Sequence, residues 1–166
     1  TLEKLTETNL SDISQNLIDA ILFKAVQEKN NELVECLLLN SIASVDVTDH
    51  EGNTPLHVAC RDKNIAIIQL LVNLGACIEA QNQQGITPLF YAIFSSSVEL
   101  VKLLLKNGTD LKSPAYIRCS FIVQNPDILL LLLDHGATLD VPPVAGKDSL
   151  FHDLTMYNLI TKDTSN

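Results

Sequence analysis

The sequence predicts an all-α solenoid of stacked helix-turn-helix units, and three observations carry that prediction. The string GNTPLHVACRDKNIAIIQLLVNLGA from Gly52 returns 33 residues later as GITPLFYAIFSSSVELVKLLLKNGT from Gly85. A match of this length at a fixed period marks a repeat architecture, in which one supersecondary unit recurs along the chain. Within the unit a Thr-Pro pair opens one short apolar segment, and a second apolar segment with helical spacing closes on Gly75. The six glycines also fall at equivalent places: Gly52, Gly85 and Gly146 before the first segment, and Gly75, Gly108 and Gly136 after the second.

In chain order, residues 1–15 form an N-terminal leader. A worn first copy spans 16–48, where LFKAVQEKNNELVECLLLNS from Leu22 aligns with Leu56 onward at an offset of 34, Ala25 on Ala59 and Leu37 on Leu71. The second copy, 49–81, shows most directly why helices form. Thr54 is suited to cap a helix through its hydroxyl, and Pro55 suits the first helical position because its missing N–H would have been an orphan there. The inner helix ends near Cys60, where "KN" breaks it. From Ile65 to Asn73 the apolar positions Ile67, Ile68, Leu70 and Leu71 recur at helical spacing with Gln69 outward, and Gly75 supplies the left-handed residue that stops the outer helix. The polar "QNQQG" then reverses the chain as an exposed loop.

The third copy, 82–111, repeats this order with "SSS" as its break. The fourth, 112–140, keeps the outer half in IRCSFIVQNPDILLLLLDHGA, but Gly136 follows Gly108 after 28 residues instead of 33, so five residues are missing before its first helix. From Gly146 the string GKDSLFHDLTMYNLI restarts the unit as a C-terminal cap at 141–160, before a polar tail at 161–166.

Composition narrows the function classes. With 166 residues and 46% hydrophobic content the chain suits one compact domain or one array with a continuous core. Eleven Lys and Arg against twenty Asp and Glu give a net charge of -9, which opposes phosphate backbones and anionic membranes and so argues against a nucleic-acid partner. The longest apolar run, DILLLLLD, is far short of the roughly 20 residues that span a bilayer, so no membrane insertion is expected. Cysteines 36, 60, 77 and 119 form no CxxC pair, and three lie in apolar helical segments, which predicts buried thiols and a reducing, cytoplasmic setting. Because the chain begins with Thr, a longer parent protein is expected.

The period of 33, the Gly-x-Thr-Pro-Leu-His-x-Ala of Gly52 to Ala59, the Leu70-Leu71 pair and the Gly75-Ala76 ending together resemble the ankyrin repeat. The resemblance covers 49–81 and 82–111 well, and the flanking copies with decreasing fidelity. It implies helix pairs stacked side by side with loops projecting as hairpin fingers. It also implies binding of other proteins on a concave face of fingers and inner helices, and no catalysis by the repeats.

Possible chemical sites yield to architecture. His57 and Cys60 stand three apart, but a zinc site needs two further ligands, and Phe90 and Ile93 replace both in the next copy. The resemblance makes His57 the repeat's histidine, bonded to nearby backbone, with Cys60 packed inward. The glycines are all spent on the repeat, and no GxGxxG or GxxxxGK[ST] string exists, so no catalytic residue, metal or cofactor site is expected. Asp46, Asp49 and Glu51 lack the spacing of a calcium loop and read as a solvated finger. His135 faces the negative end of an outer helix, and His152 with Asp153 has no assigned chemistry.

If the repeats supply shape, function lies where equivalent outward positions differ. The first position past the inner-helix core reads Gln27, Arg61, Phe94, Ile122, and the next reads Glu28, Asp62, Ser95, Val123, both turning apolar toward the C-terminus. Ile86 and Tyr91 follow the trend. A protein or peptide partner is therefore expected, anchored by Phe94, Tyr91, Ile86 and Ile122, and steered by Arg61, Asp62 and a polar rim of His50, Glu51, Gln83 and Gln84. Basic residues on that partner suit the acidic chain.

Alternatives remain open. The shortened fourth unit either buries Phe94 and Ile122 against itself or opens a notch beside Phe94. Leu130, which breaks the charged series Glu35, Gln69, Lys102 on the outer helices, is either covered by the cap or a self-association contact. The array is read as part of an adaptor or scaffold, with the targeting arm of an enzyme encoded elsewhere in a longer protein and a structural spacer as rival readings.

Overall fold

The computed structural model describes residues 2–112, 116, 117, 120 and 123–137, with side chains described from Ser14 onward. Among these residues the chain forms seven helices and no strand: α1 (Leu2–Gln27), α2 (Asn31–Leu39), α3 (Pro55–Arg61), α4 (Ile65–Asn73), α5 (Pro88–Phe94), α6 (Val98–Lys106) and α7 (Pro126–Asp134). Inner helices α1, α3 and α5 alternate with outer helices α2, α4 and α6. Tyr116, Ile117, Ser120 and Val123 are helical and mark the inner segment of the fourth unit, ahead of the outer α7. The expected cap at 141–160, the tail, and Gly146, His152 and Asp153 lie outside the described residues.

Helix α3 packs against α4 within its unit and against α1 and α5 on either side, while α2 touches α4 and α6 touches α7. The stack thus buries one continuous core between two layers. Leu22, Leu56, Leu89 and Ile93 from the inner row and Ile67, Ile68, Leu71, Leu100, Leu104, Ile128 and Leu132 from the outer row are all fully buried. In α4 this is the face expected from the spacing, with Gln69 exposed and Leu70 half-buried. Helix α1 departs from the repeat: it begins at Leu2 and runs without a break through residue 16, far longer than the seven-residue α3 and α5.

The outer helices stop as expected. Gly75 sits at φ +84°, and the N–H groups of Gly75 and Ala76 bond to the carbonyls of Val72 and Leu71, which satisfies two otherwise orphaned acceptors. The inner helices use the same pairing without glycine. Lys29, Lys63, Ser96 and Gln124 hold the left-handed conformation at φ 58°, 56°, 56° and 54°. Asn30, Asn64 and Asn125 then cap the outer helices by accepting from Leu33, Ile67 and Ile128 N–H.

One expectation is corrected. Cys60 is buried, and burial pushes its thiol up, but Cys36 on α2 and Cys77 in the loop after α4 are exposed; Cys119 is outside the described residues. At the start of α3 it is His57 that reaches back to the cap, its Nδ1 accepting from the Thr54 N–H at 3.0 Å. Thr54 is the N-cap as expected, within a capping box that His57 completes, and its hydroxyl lies 2.9 Å from the same nitrogen.

Candidate functional site

Each finger is a bonded turn built on one acidic or amide side chain. Asp49 Oδ1 accepts from the N–H groups of Glu51 and Asn53 at 2.9 and 2.8 Å, and the Asp49 N–H donates to the Asn53 carbonyl at 3.0 Å. Burial works to raise the Asp49 carboxyl, but the hydrogen bonds from Asn53 and Glu51 outweigh it and leave the group below the usual carboxylate range. Asn82 does the same work one repeat later, accepting from Gln84 and Ile86 N–H at 3.0 and 2.9 Å. The acidic series at 46, 49 and 51 is thus architectural: Asp46 accepts from the Cys77 N–H, and Glu51 accepts from the Asn53 amide. Among the described residues no group of three His, Cys, Asp or Glu side chains is placed to hold a metal ion.

The two fingers are locked together. Gln83 donates its N–H to the Glu51 carbonyl and its Nε2 to the His50 carbonyl, both at 3.0 Å. Asn82 Nδ2 donates to Asn53 Oδ1 at 2.9 Å. The rim residues His50, Glu51, Gln83 and Gln84 therefore lie side by side, all exposed, with Glu51 3.9 Å from the His50 imidazole.

His57 joins unit to unit. Since a backbone N–H only donates, Nδ1 is the acceptor and the proton sits on Nε2, which donates to the Ile86 carbonyl of the next finger at 2.9 Å. Burial is the main cause of its lowered pKa, against the opposing pull of backbone carbonyls and Asp49, so the neutral ring is favoured. The Tyr91 ring meets His57 edge-on, with centroids 6.1 Å apart, and its hydroxyl donates toward Asn53 Oδ1 at 3.5 Å.

These contacts sort the expected anchors. Ile86 and Tyr91 are half-buried and committed to the joint between the second and third units. Phe94 is 63% exposed, and among the described residues none of the fourth unit covers it. Arg61 pairs with Asp62 at 3.2 Å at the end of α3, one repeat before Phe94. Ile122 lies outside the described residues, and Leu130 is exposed on α7.

Two residues that sequence reasoning passed over belong to this face. Phe90, aligned with His57, is half-buried and stacks on Phe94 with nearly parallel rings, centroids 6.5 Å apart. Tyr116 takes the helix-opening place of Pro88 in the shortened unit, and its hydroxyl lies 2.9 Å from Thr87 Oγ1. Burial first, and then the Glu79 and Asp110 carboxylates, raise its phenol, while the Thr87 bond opposes them. The signal for Phe90 was present in the sequence as an aromatic four residues before Phe94, which places both on one helical face.

None of the helices among the described residues is long and apolar enough to cross a membrane. A family model described as ankyrin repeats in three copies matches residues 22–115, more than half of the chain. A search of curated proteins returns no match.

Proposed function

From the chain's membership of the ankyrin repeat family, whose repeats are in general protein-protein interaction modules, we propose that it binds a partner protein or peptide on the face of the inner helices and fingers, with Phe94 as anchor. The observation that carries this reading is the exposed Phe94 stacked on Phe90, at a position filled by Gln27 and Arg61 in the preceding copies. An aromatic pair one repeat on from the charged Arg61-Asp62 pair, on an array with polar finger tips, suits the usual anatomy of an interface, an apolar centre with a polar rim. Phe94 supplies affinity; the rim supplies orientation. The net charge of -9 favours a partner segment with basic residues. The array then serves as an adaptor or scaffold in the cytoplasm. Ankyrin domains are typically non-catalytic, so any enzymatic activity would belong to another part of a longer protein.

The test is Phe94→Asp. Proteins captured from cell extract by the immobilised chain are quantified for both forms, with melting temperature measured in parallel. A partner bound by the parent chain should drop by about tenfold or more, as truncation of an interface anchor does. The melting temperature should move little, because a side chain this exposed contributes little to the core. Equal capture by both forms would sink the assignment.

A further inference from the structure

The first finger is closed by the second, but among the described residues nothing closes the second. Gln83 satisfies the Glu51 and His50 carbonyls, and its backbone comes so close that a Cβ on Gly52 would meet Gln83 N at 2.9 Å. One repeat on, the equivalent groups are the Gln84 and Gln83 carbonyls and Gly85. Among the described residues neither carbonyl has a donor, and a Cβ at Gly85 would meet nothing within 4 Å.

The link between the third and fourth units does not have the length to fill this edge. Lys112 corresponds to Glu79 and Tyr116 to Pro88, so residues 113–115 stand where the preceding unit has 80–87. That stretch reaches at most about 14 Å fully extended, too little to run to a fingertip and back. Phe90 fits the same loss. His57 spends its Nε2–H on the Ile86 carbonyl of the next finger, whereas Phe90 presents an apolar ring that needs no such acceptor.

We propose that this notch beside the second finger receives an extended segment of a partner protein, which takes the place of the missing fourth finger. The proposal rests on the partner-binding reading above and gives that partner a chemistry. A backbone N–H, hence not a proline, pairs with the Gln84 carbonyl as Gln83 pairs with Glu51. The backbone runs close to Gly85, and an apolar side chain covers the Phe90-Phe94 pair. A basic residue faces Glu79 and Asp110, whose neighbouring cation, Lys112, is already paired with Asp110 at 3.1 Å.

The test pans the whole chain against a phage-displayed library of random dodecapeptides. Enriched peptides should pair Lys or Arg with an aromatic or large aliphatic residue. A synthetic copy is then titrated by calorimetry against the parent chain and against an insertion variant carrying a second copy of residues 81–85 between Lys112 and Ser113. Binding should weaken by about tenfold or more in the insertion variant, and by a similar factor when one particular peptide amide is N-methylated. The N-methyl scan leaves the protein unchanged and holds even if the insertion variant does not fold.

Equal affinity for the insertion variant, tolerance of N-methylation at every position, or a library without enrichment each overturns the notch. Phe94→Asp separates the two readings. Loss there with binding to the insertion variant intact overturns the notch and leaves the Phe94 anchor standing; the reverse pattern upholds the notch and overturns the anchor. Growth of mass with concentration in light scattering, abolished by the insertion, identifies a second copy as the occupant and overturns the peptide assignment.

Discussion

His57 is held at both ring nitrogens, so replacing the ring strands two backbone groups at once. In His57→Phe the Thr54 N–H and the Ile86 carbonyl lose their partners, and unfolding in urea should show a loss of about 2–4 kcal/mol. Acidity probes the same bonds. The folded-state pKa lies below the ordinary histidine value of 6.5, so the folded chain binds fewer protons than the unfolded one in that range. The stabilisation is complete above pH 6.5 and is lost as pH falls from there through the lowered value. Thermal melts from pH 7.5 to 5.5 should therefore show a steeper decline for the parent chain than for His57→Phe. The two finger glycines make a contrasting pair. Both have positive φ, +78° at Gly52 and +72° at Gly85, but only Gly52 also touches a neighbouring backbone. Gly85→Ala should cost about 1 kcal/mol of conformational strain, and Gly52→Ala clearly more, since Gln83 must also move. Equal costs would mean that the fingers are not locked together.

The turns between paired helices carry strain that the glycine-closed ends of α4, α6 and α7 avoid. Lys63 adopts φ 56° at the end of α3, where a side chain brings its Cβ against the following carbonyl. Lys63→Gly should raise stability by about 0.5–1 kcal/mol, read as a higher urea midpoint with unchanged slope. The next residue has a second weakness. Asn125 Nδ2 donates to Ser96 Oγ of the preceding unit at 2.8 Å. The corresponding residues two joints earlier are Asn64 and Lys29, whose ammonium cannot accept, and Asn64 Nδ2 is buried without a partner among the described residues. Lys29→Ser supplies an acceptor and should stabilise by about 1 kcal/mol, whereas the same change in an Asn64→Ser background should do nothing.

A stack in which each unit touches its neighbours distributes stability by position. Units with a neighbour on both sides gain two interfaces and end units one. Native-state hydrogen exchange should protect the amides of α3, α4 and α5 longest, with those of α2 and α7 exchanging earlier. Uniform protection along the array would contradict nearest-neighbour stacking. The repeat, the helix starts and stops, and the buried face of α4 were legible because they depend on neighbours within a turn or two: Thr54 before Pro55, apolar residues at helical spacing, Gly75 at the close. The proposed interaction face was legible only in part. Phe94, Tyr91 and Ile86 look alike as outward apolar positions, yet Tyr91 and Ile86 are drawn into the joint by His57 and Asn53, from 29 to 38 residues away. Among the described residues Phe94 meets no such neighbour and stays 63% exposed. Local periodicity along the chain was enough to specify the unit and its core. The choice between a surface residue and a joint residue belongs to the packing of one unit on the next, because burial and hydrogen-bond satisfaction are set by groups that no short stretch of sequence contains.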